Sequence, residues 1–143
     1  MLSRANYCCS TWAAWEPRGN KTLLQRLQAV CNKFFRLIYN LDHTESVRHI
    51  LKSHNILNIF QNYDFQVAQS MHKAVHGELP VPLRYNLTLD NAFFYFKPSR
   101  IKQTQKSISY AGPNIWNSLP TDYVQESDFK KFKSNLKQFL LNK

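Results

Sequence analysis

Carboxylates are the first groups to consider, since clustered Asp and Glu side chains hold the Mg²⁺ ions at which nucleotides are transferred. The chain has nine Asp and Glu residues, and no two of them are adjacent. Glu126 and Asp128 come closest, and acids just before an amphipathic segment are typical of a helix N-terminus. The three glycines, Gly19, Gly77 and Gly112, lie too far apart to form a phosphate-binding loop. We therefore expect that the chain does not transfer nucleotides by itself.

Cysteine and histidine could supply a nucleophile, a base or metal ligands. No catalytic signature surrounds Cys8, Cys9 or Cys31, and Cys31 falls in the apolar stripe of a predicted helix, where cysteine usually acts as a small hydrophobic residue. His72 and His76 are one helical turn apart, a spacing that can hold zinc. No Glu or Cys follows at zinc-ligand spacing, so we interpret both as surface histidines. We expect no catalytic residue, no metal and no cofactor.

The net charge of +10 is concentrated toward the two ends of the chain. Cations outnumber carboxylates before residue 55 and after residue 96, whereas the stretch between them is close to neutral. A field of this kind favours a polyanionic partner such as nucleic acid, with an anionic membrane surface as the weaker alternative. No apolar run approaches the roughly 18 residues that a membrane span needs, so no membrane partner is expected.

Two basic segments are candidates for contact with nucleic acid. The first adjoins an aromatic run, Phe93 to Phe96, and cations beside exposed rings suit single-stranded nucleic acid through phosphate contacts and base stacking. Two alternatives stay open: the rings fill a core, and the second segment is a solvated helix surface or lies on an anionic membrane. The predicted nucleic-acid-binding residues are Lys97, Arg100, Lys102 and Lys106 in the first segment, and Lys130, Lys131, Lys133 and Lys137 in the second.

Apolar residues at three-and-four spacing predict four helices. These cover residues 21–40, 46–53, 56–76 and 128–142. Asn20 and Ser127 are the predicted N-caps of the first and last, Thr44 lies near the cap of the second, and Gly77 follows the third. Each helix has one apolar stripe, so we expect the first three to pack as an antiparallel core. Lysines occupy the other side of the last helix.

Between these helices the pattern is irregular. Leu79-Pro80-Val81-Pro82 ends helix and imposes extended backbone, and the aromatic run suits a short strand or a loop. Gly112-Pro113 is expected to break the chain again. The predicted fold is mainly α: a small helical bundle with an irregular, partly extended crossing segment and a C-terminal amphipathic helix. Its three parts are residues 1–78, 79–127 and 128–143.

An ordered motif spans Ser107 to Pro120, and nothing in it can do bond chemistry. It reads Ser107-Ile108-Ser109-Tyr110-Ala111-Gly112-Pro113-Asn114-Ile115-Trp116-Asn117-Ser118-Leu119-Pro120. We interpret it as a packing motif around a buried Trp116. It resembles the Ser-x-x-Tyr-x-Gly-x-x-Leu/Ile-Trp-Asn-x-Leu-Pro run near the C-terminus of reverse transcriptases from non-LTR, LINE-type retrotransposons of the jockey-like kind. Its defining residues are Tyr110, Gly112, Pro113, Trp116, Asn117, Leu119 and Pro120.

The resemblance extends along nearly the whole chain. Cys31 stands where the family has glutamine, and the family's His-x-Tyr-x-Thr-Arg element has no clear copy here. Further stretches similar to the family, in the family's order, are Tyr7-Cys8-Cys9-Ser10-Thr11-Trp12, the helix segment 27–38, Leu57-Asn58-Ile59, Gly77-Glu78-Leu79-Pro80 and Phe129-Lys130-Lys131-Phe132-Lys133.

The resemblance implies a region downstream of the palm and thumb of an RNA-directed DNA polymerase, where it helps to hold RNA template and priming DNA. The palm's aromatic-x-Asp-Asp motif is absent from these 143 residues. We therefore expect a non-catalytic C-terminal fragment that binds RNA or DNA with little sequence preference, in the nucleus or cytoplasm. The thumb or palm of a full-length element is a further expected partner. The alternative is a structural or protein-interaction module, or an inert product of a truncated element.

Overall fold

The computed structural model describes residues 23–78, 88–90, 93–95 and 108–143. The predicted fold class is confirmed, because this part of the chain is mainly helical. Its helices are α1 (Leu23–Ile38), α2 (Arg48–Ser53), α3 (Ile59–Val75), α4 (Ile108–Asn117), α5 (Thr121–Val124) and α6 (Phe129–Asn142). Two short antiparallel strands, β1 (Thr88–Asp90) and β2 (Phe93–Tyr95), pair with Leu89 opposite Phe94. The predictions on Asn20, Cys8, Cys9 and the Leu79-Pro80-Val81-Pro82 stretch lie outside the described residues.

Side chains cap the starts of two helices. The Asn58 side chain accepts a hydrogen bond from the Gln61 amide (2.7 Å), and the Gln61 side chain accepts one from the Asn58 amide (3.0 Å). This capping box starts α3. At α6 the cap is Asp128, whose carboxylate accepts from the Lys130 amide (2.9 Å), so the prediction of Ser127 is one residue early. The predicted role of Thr44 is wrong, because α2 begins after Val47 with no side-chain cap bond.

Three helices end with a residue in the left-handed region. Asn40, Asn55 and Gly77 have φ angles of 50°, 54° and 77°. The residue after each one donates its amide to a carbonyl five positions back, for example Glu78 to Lys73 (2.8 Å). This arrangement satisfies carbonyls that the helix itself leaves unpaired. The position predicted for Gly77 after α3 is confirmed, and Asn40 and Asn55 terminate α1 and α2 in the same way.

The main hydrophobic core is built by α3, α4, β2, α5 and α6. Trp116 of α4 and Phe132 of α6 are fully buried at its centre, 5.7 Å apart between ring centroids. All three sequence segments contribute side chains to this one cluster. Its buried members are Phe65, Val67, Ala68, Met71, Phe94, Trp116, Leu119, Val124, Phe132, Leu136 and Leu140.

The prediction that α1, α2 and α3 pack together as an antiparallel core is wrong. The side of α3 that carries its buried residues is covered by α4 and α6 instead, as the contacts of Met71 with Gly112 and of His72 with Phe132 show. Four buried residues of this region are not part of the main cluster: Cys31 of α1, Val47 just before α2, and Ile50 and Leu51 of α2.

Helix α4 runs without interruption through Gly112-Pro113, where a break was expected. Pro113 has no N–H to donate to the Ser109 carbonyl, and its ring is fully buried. The residue before proline normally avoids helical backbone because its Cβ meets the proline ring, and Gly112 has no Cβ. A Cβ there would also overlap the Met71 sulphur. A glycine at position 112 therefore allows both a helical backbone before Pro113 and the close packing of α4 on α3.

Candidate nucleic-acid interface

Four lysines of α6 form a basic surface, called here the lysine face: Lys130, Lys131, Lys133 and Lys137. All four are exposed, while Phe132, Leu136 and Leu140 on the other side of the helix are buried. Lys130, Lys133 and Lys137 follow at three-and-four spacing, which places them in a row about 10 Å long. Lys131 is displaced by about 100° around the helix axis. The packed side of α6 thus fixes the direction in which the lysines project.

The lysine face is free of carboxylates from its own helix, since Phe129–Asn142 contains none. The nearest acids in sequence are used in the turn before it. Asp128 caps the helix, and a Glu126 carboxylate oxygen accepts from the Asp128 amide (3.1 Å). A helix with four cations and no anion produces a one-sided positive field that attracts phosphate.

Lys73 extends this positive field from α3. Its ammonium nitrogen lies 5.3 Å from the ring centroid of Phe129, the residue that precedes Lys130, and the side chain is exposed. A cation over an aromatic ring is stabilised there by the ring's electrons. Sequence reasoning missed Lys73 as a member of the surface, because no spacing rule links residues so far apart in the chain.

His72 anchors the start of α6 to α3, and its predicted surface position is wrong. Only 2% of the residue is exposed, and its ring stacks on Phe132 at 4.4 Å between centroids. Its Nε2 lies 2.9 Å from the Glu126 carbonyl, which can only accept, so Nε2 donates. Burial lowers the pKa of His72, and the bond to Glu126 opposes that shift. His76 is exposed, as predicted.

The aromatic run is divided in its roles. Phe94 lies in the core, 4% exposed, with its ring edge-on to Trp116 at 6.1 Å between centroids. Asn117 holds the strand: its side-chain amide donates to the Phe94 carbonyl (3.0 Å), and its oxygen accepts from the Phe94 amide (3.1 Å). The core alternative is therefore confirmed for Phe94. The first basic segment, with Lys97, Arg100, Lys102 and Lys106, lies outside the described residues.

The packing motif places its residues around the same core. Trp116 and Pro113 are fully buried, Gly112 and Leu119 are buried, and Tyr110 is half-buried. The remaining two members serve the backbone. Asn117 bonds β2, and Pro120 precedes α5 as its N-cap residue with ψ of 147°. The buried position expected for Trp116 is confirmed.

A cleft of about 150 Å³ lies where α3, α4 and α6 meet. Asp64 lines it together with apolar residues such as Ile115 and Phe139. Burial raises the pKa of Asp64, and the charge of Lys143 counteracts part of that shift. The cleft combines one acid with one cation, which is an arrangement that neutralises itself rather than one that attracts phosphate.

Within the described residues, no group of three or more His, Cys, Asp and Glu side chains is placed to hold a metal ion. Burial raises the pKa of the Cys31 thiol, so that cysteine is held in its less reactive form. Within this part of the chain, no helix combines the length and the apolar character needed to cross a membrane.

Comparison of the chain with protein-family models, with curated proteins and with solved structures finds no match. The resemblance to jockey-like reverse transcriptases therefore depends on the ordered sequence motifs alone.

Proposed function

We propose that the chain is a non-catalytic nucleic-acid-binding domain, equivalent to the post-thumb region of a LINE-type reverse transcriptase. The observation that carries this proposal is the lysine face, in which four exposed lysines project from a helix whose other side is buried. The ordered motifs from Tyr7 to Lys133 supply the assignment to the polymerase.

Packing gives the lysine face its value as a binding surface. Lysine side chains on a helix that is fixed to a core lose less freedom on binding than those on an unordered tail. Phe132, Leu136 and Leu140 provide that attachment. Ammonium groups contact phosphate as point charges and do not read base edges, so we expect binding to be tolerant of sequence.

The expected ligand is RNA or DNA in a polymerase complex. The region would contribute phosphate contacts while the catalytic carboxylates come from the palm, which these 143 residues lack. Scattered carboxylates in the chain support a role without catalysis, because polymerases transfer nucleotides at two metal ions held by clustered acids. Arg100, Lys102 and Lys106 are proposed to add contacts from the first basic segment.

The test is a salt titration of the full chain with fluorescein-labelled single-stranded RNA and with a DNA duplex of the same sequence, followed by anisotropy. Each phosphate contact adds about 0.7 to 0.9 to the slope of log affinity against log salt. Replacing the lysine face with glutamine (K130Q, K131Q, K133Q, K137Q) should reduce the slope by about three and weaken binding at low salt. A separate R100Q, K102Q, K106Q variant measures the first segment.

A matched control removes four exposed cations from α1 and α2: Arg26→Gln, Lys33→Gln, Arg48→Gln and Lys52→Gln. It changes the net charge by the same amount and leaves the lysine face intact. We expect its slope to stay close to that of the wild type. Equal losses in both variants would show that only overall charge matters, and salt-insensitive binding would contradict the proposal.

A further inference from the structure

Helix α1 exposes a row of large hydrophobic side chains, called here the apolar stripe: Val30, Phe34, Leu37 and Ile38. Their exposed fractions are 48%, 45%, 80% and 55%. The sequence predicts these four side chains to be buried together with Cys31, but in the structure Cys31 is buried and the four are exposed. The row follows one side of the helix for about 12 Å.

A continuous stripe differs from ordinary exposed hydrophobic residues. Single apolar side chains are common on protein surfaces and need no explanation. Four of them on one helix side form a contiguous row, and contiguous exposed apolar surface is typical of interaction sites. Tyr39 directly after α1 and Phe60 at the start of α3 are also exposed, at 39% and 42%.

Helix α1 is fixed to the rest of the protein by its other side, so the stripe has a set orientation. The Gln28 side-chain oxygen accepts from the Ile59 amide at the start of α3 (2.8 Å), and its nitrogen donates to Asn32 (2.7 Å). The Arg36 Nε donates to the Glu45 carbonyl (2.9 Å). The bond to Ile59 attaches α1 to α3 and the bond to Glu45 attaches it to the turn that follows, so the apolar stripe is turned away from the core.

Charge next to the stripe indicates what covers it. Arg26 and Lys33 are seven residues apart, exposed, and lie along one edge of the stripe. The helix contains no Asp or Glu to balance them. We propose that the apolar stripe of α1 binds an acidic amphipathic helix of another protein, whose apolar side covers Val30 to Ile38 and whose carboxylates face Arg26 and Lys33.

Two other candidates could cover the apolar stripe, a second copy of this chain and residues 1–22, but neither complements the positive charge beside the stripe as well. A second copy of this chain brings an α1 with three cations and no carboxylate, on a molecule of net charge +10 that repels its copy. Residues 1–22 of the same chain carry Glu16 as their only carboxylate, against three cations. An acidic helix supplies both the apolar cover and the opposite charge, in the manner of other helix-to-groove complexes.

The test uses a synthetic helical peptide of four heptads, with Leu at the a and d positions and Glu at the e and g positions, titrated into the full chain by anisotropy. Phe34→Gln with Leu37→Gln should weaken binding by at least about tenfold. Both side chains are exposed, so the fold should be retained, and far-UV circular dichroism checks it. Arg26→Gln with Lys33→Gln should lower affinity severalfold and reduce its dependence on salt.

Controls separate this site from general attraction to a basic protein. The lysine-face variant should bind the peptide within about twofold of the wild type. Two altered peptides, one with Lys in place of Glu and one with Ser in place of Leu, should bind poorly. These peptides test the proposal on the unchanged protein.

Several results would overturn the proposal. One is that the Phe34→Gln, Leu37→Gln variant binds the Glu peptide as tightly as the wild type does, or that the peptide with Lys in place of Glu binds as well as the Glu peptide. Another is a dimer, seen by sedimentation, that the same variant abolishes, because it would assign the apolar stripe to a second copy. A third is that the peptide binds only after residues 1–22 are removed, which would assign the stripe to the chain itself. The last is that anionic lipid vesicles bind through the stripe while the peptide does not.

Discussion

Helices α1 and α6 have similar sequence patterns, but their apolar sides are packed differently. Both are amphipathic, both carry cations on one side, and neither contains a carboxylate. In α6 the apolar side, with Phe132 and Leu136, is fully buried, whereas in α1 Phe34 and Leu37 are exposed. The period of a sequence therefore shows which side of a helix is apolar, but it does not show what covers that side.

The difference follows from the limited surface of α3. This helix has one strongly buried side, and α4 approaches it closely because Gly112 presents no Cβ to Met71. Helix α6 fills the remaining part of that side, where His72 stacks on Phe132. Helix α1 meets α3 near Ile59, at its N-terminal end. The core is complete without the apolar stripe.

The largest expected effect is the difference in stability lost when the same substitution is made in α6 and in α1. Phe132→Ala removes a fully buried ring and should lower the free energy of unfolding by about 3 to 5 kcal/mol. Phe34→Ala removes a ring that is 45% exposed and should cost less than about 1 kcal/mol. Urea denaturation of both variants measures the two values. Equal losses would mean that the stripe is covered within the folded chain.

Gly112→Ala tests the close approach of α4 and α3. Alanine is better than glycine in a helix by about 1 kcal/mol, yet here its Cβ would overlap Met71, so we expect a net loss of about 1 to 3 kcal/mol. The loss should be smaller in a Met71→Ala background, and a double-mutant cycle by urea denaturation gives the coupling. Stabilisation by Gly112→Ala would show that the helices are farther apart.

Asn117→Ala tests how β2 is attached to the core. The substitution removes both bonds to the Phe94 backbone and should cost about 1 to 2 kcal/mol in urea denaturation. Asn114→Ala is the matched control on the same helix, because Asn114 is exposed and donates one bond, to the Tyr110 carbonyl (3.2 Å). A similar cost for both variants would argue against a specific role of Asn117.

The smallest effect is a pH dependence from His72. Burial holds its pKa below the ordinary value of 6.5, so the unfolded chain takes up a proton that the folded chain resists. The contribution of His72 to the free energy of unfolding is therefore complete above pH 6.5, and it is lost as the pH falls through the folded-state pKa. Lys73, His76, Glu78 and Glu126 are the charged or titratable groups around it.

His72→Gln retains a side-chain N–H donor for Glu126 and cannot titrate. Urea denaturation at pH 7.5 and pH 5.5 should show a smaller drop in stability for this variant than for the wild type. His49→Gln, at an exposed histidine of α2, serves as the control and should keep the wild-type drop. An unchanged drop in His72→Gln would remove His72 as the source.

Local signals in the sequence predicted much of the fold. Apolar spacing gave α1, α3 and α6 to within a few residues, and Gly77 marked a helix end because its backbone has positive φ. The exposed lysines of α6 followed from the same spacing. Other features depend on partners far away in the chain. His72 is buried by Phe132, α4 continues through the Gly112-Pro113 step where it packs closely on Met71, and Lys73 reaches the neighbourhood of the lysine face through Phe129.

The central claim is that α6 faces nucleic acid and α1 does not, and lysine acetylation footprinting tests it most directly. The full chain is treated with acetic anhydride with and without single-stranded RNA, and the modified lysines are mapped by mass spectrometry. We expect RNA to protect Lys130, Lys131, Lys133 and Lys137, while Lys33 of α1 and Lys52 of α2 react as before. Uniform protection, or protection at Lys33 and Lys52 with none on α6, would contradict the account.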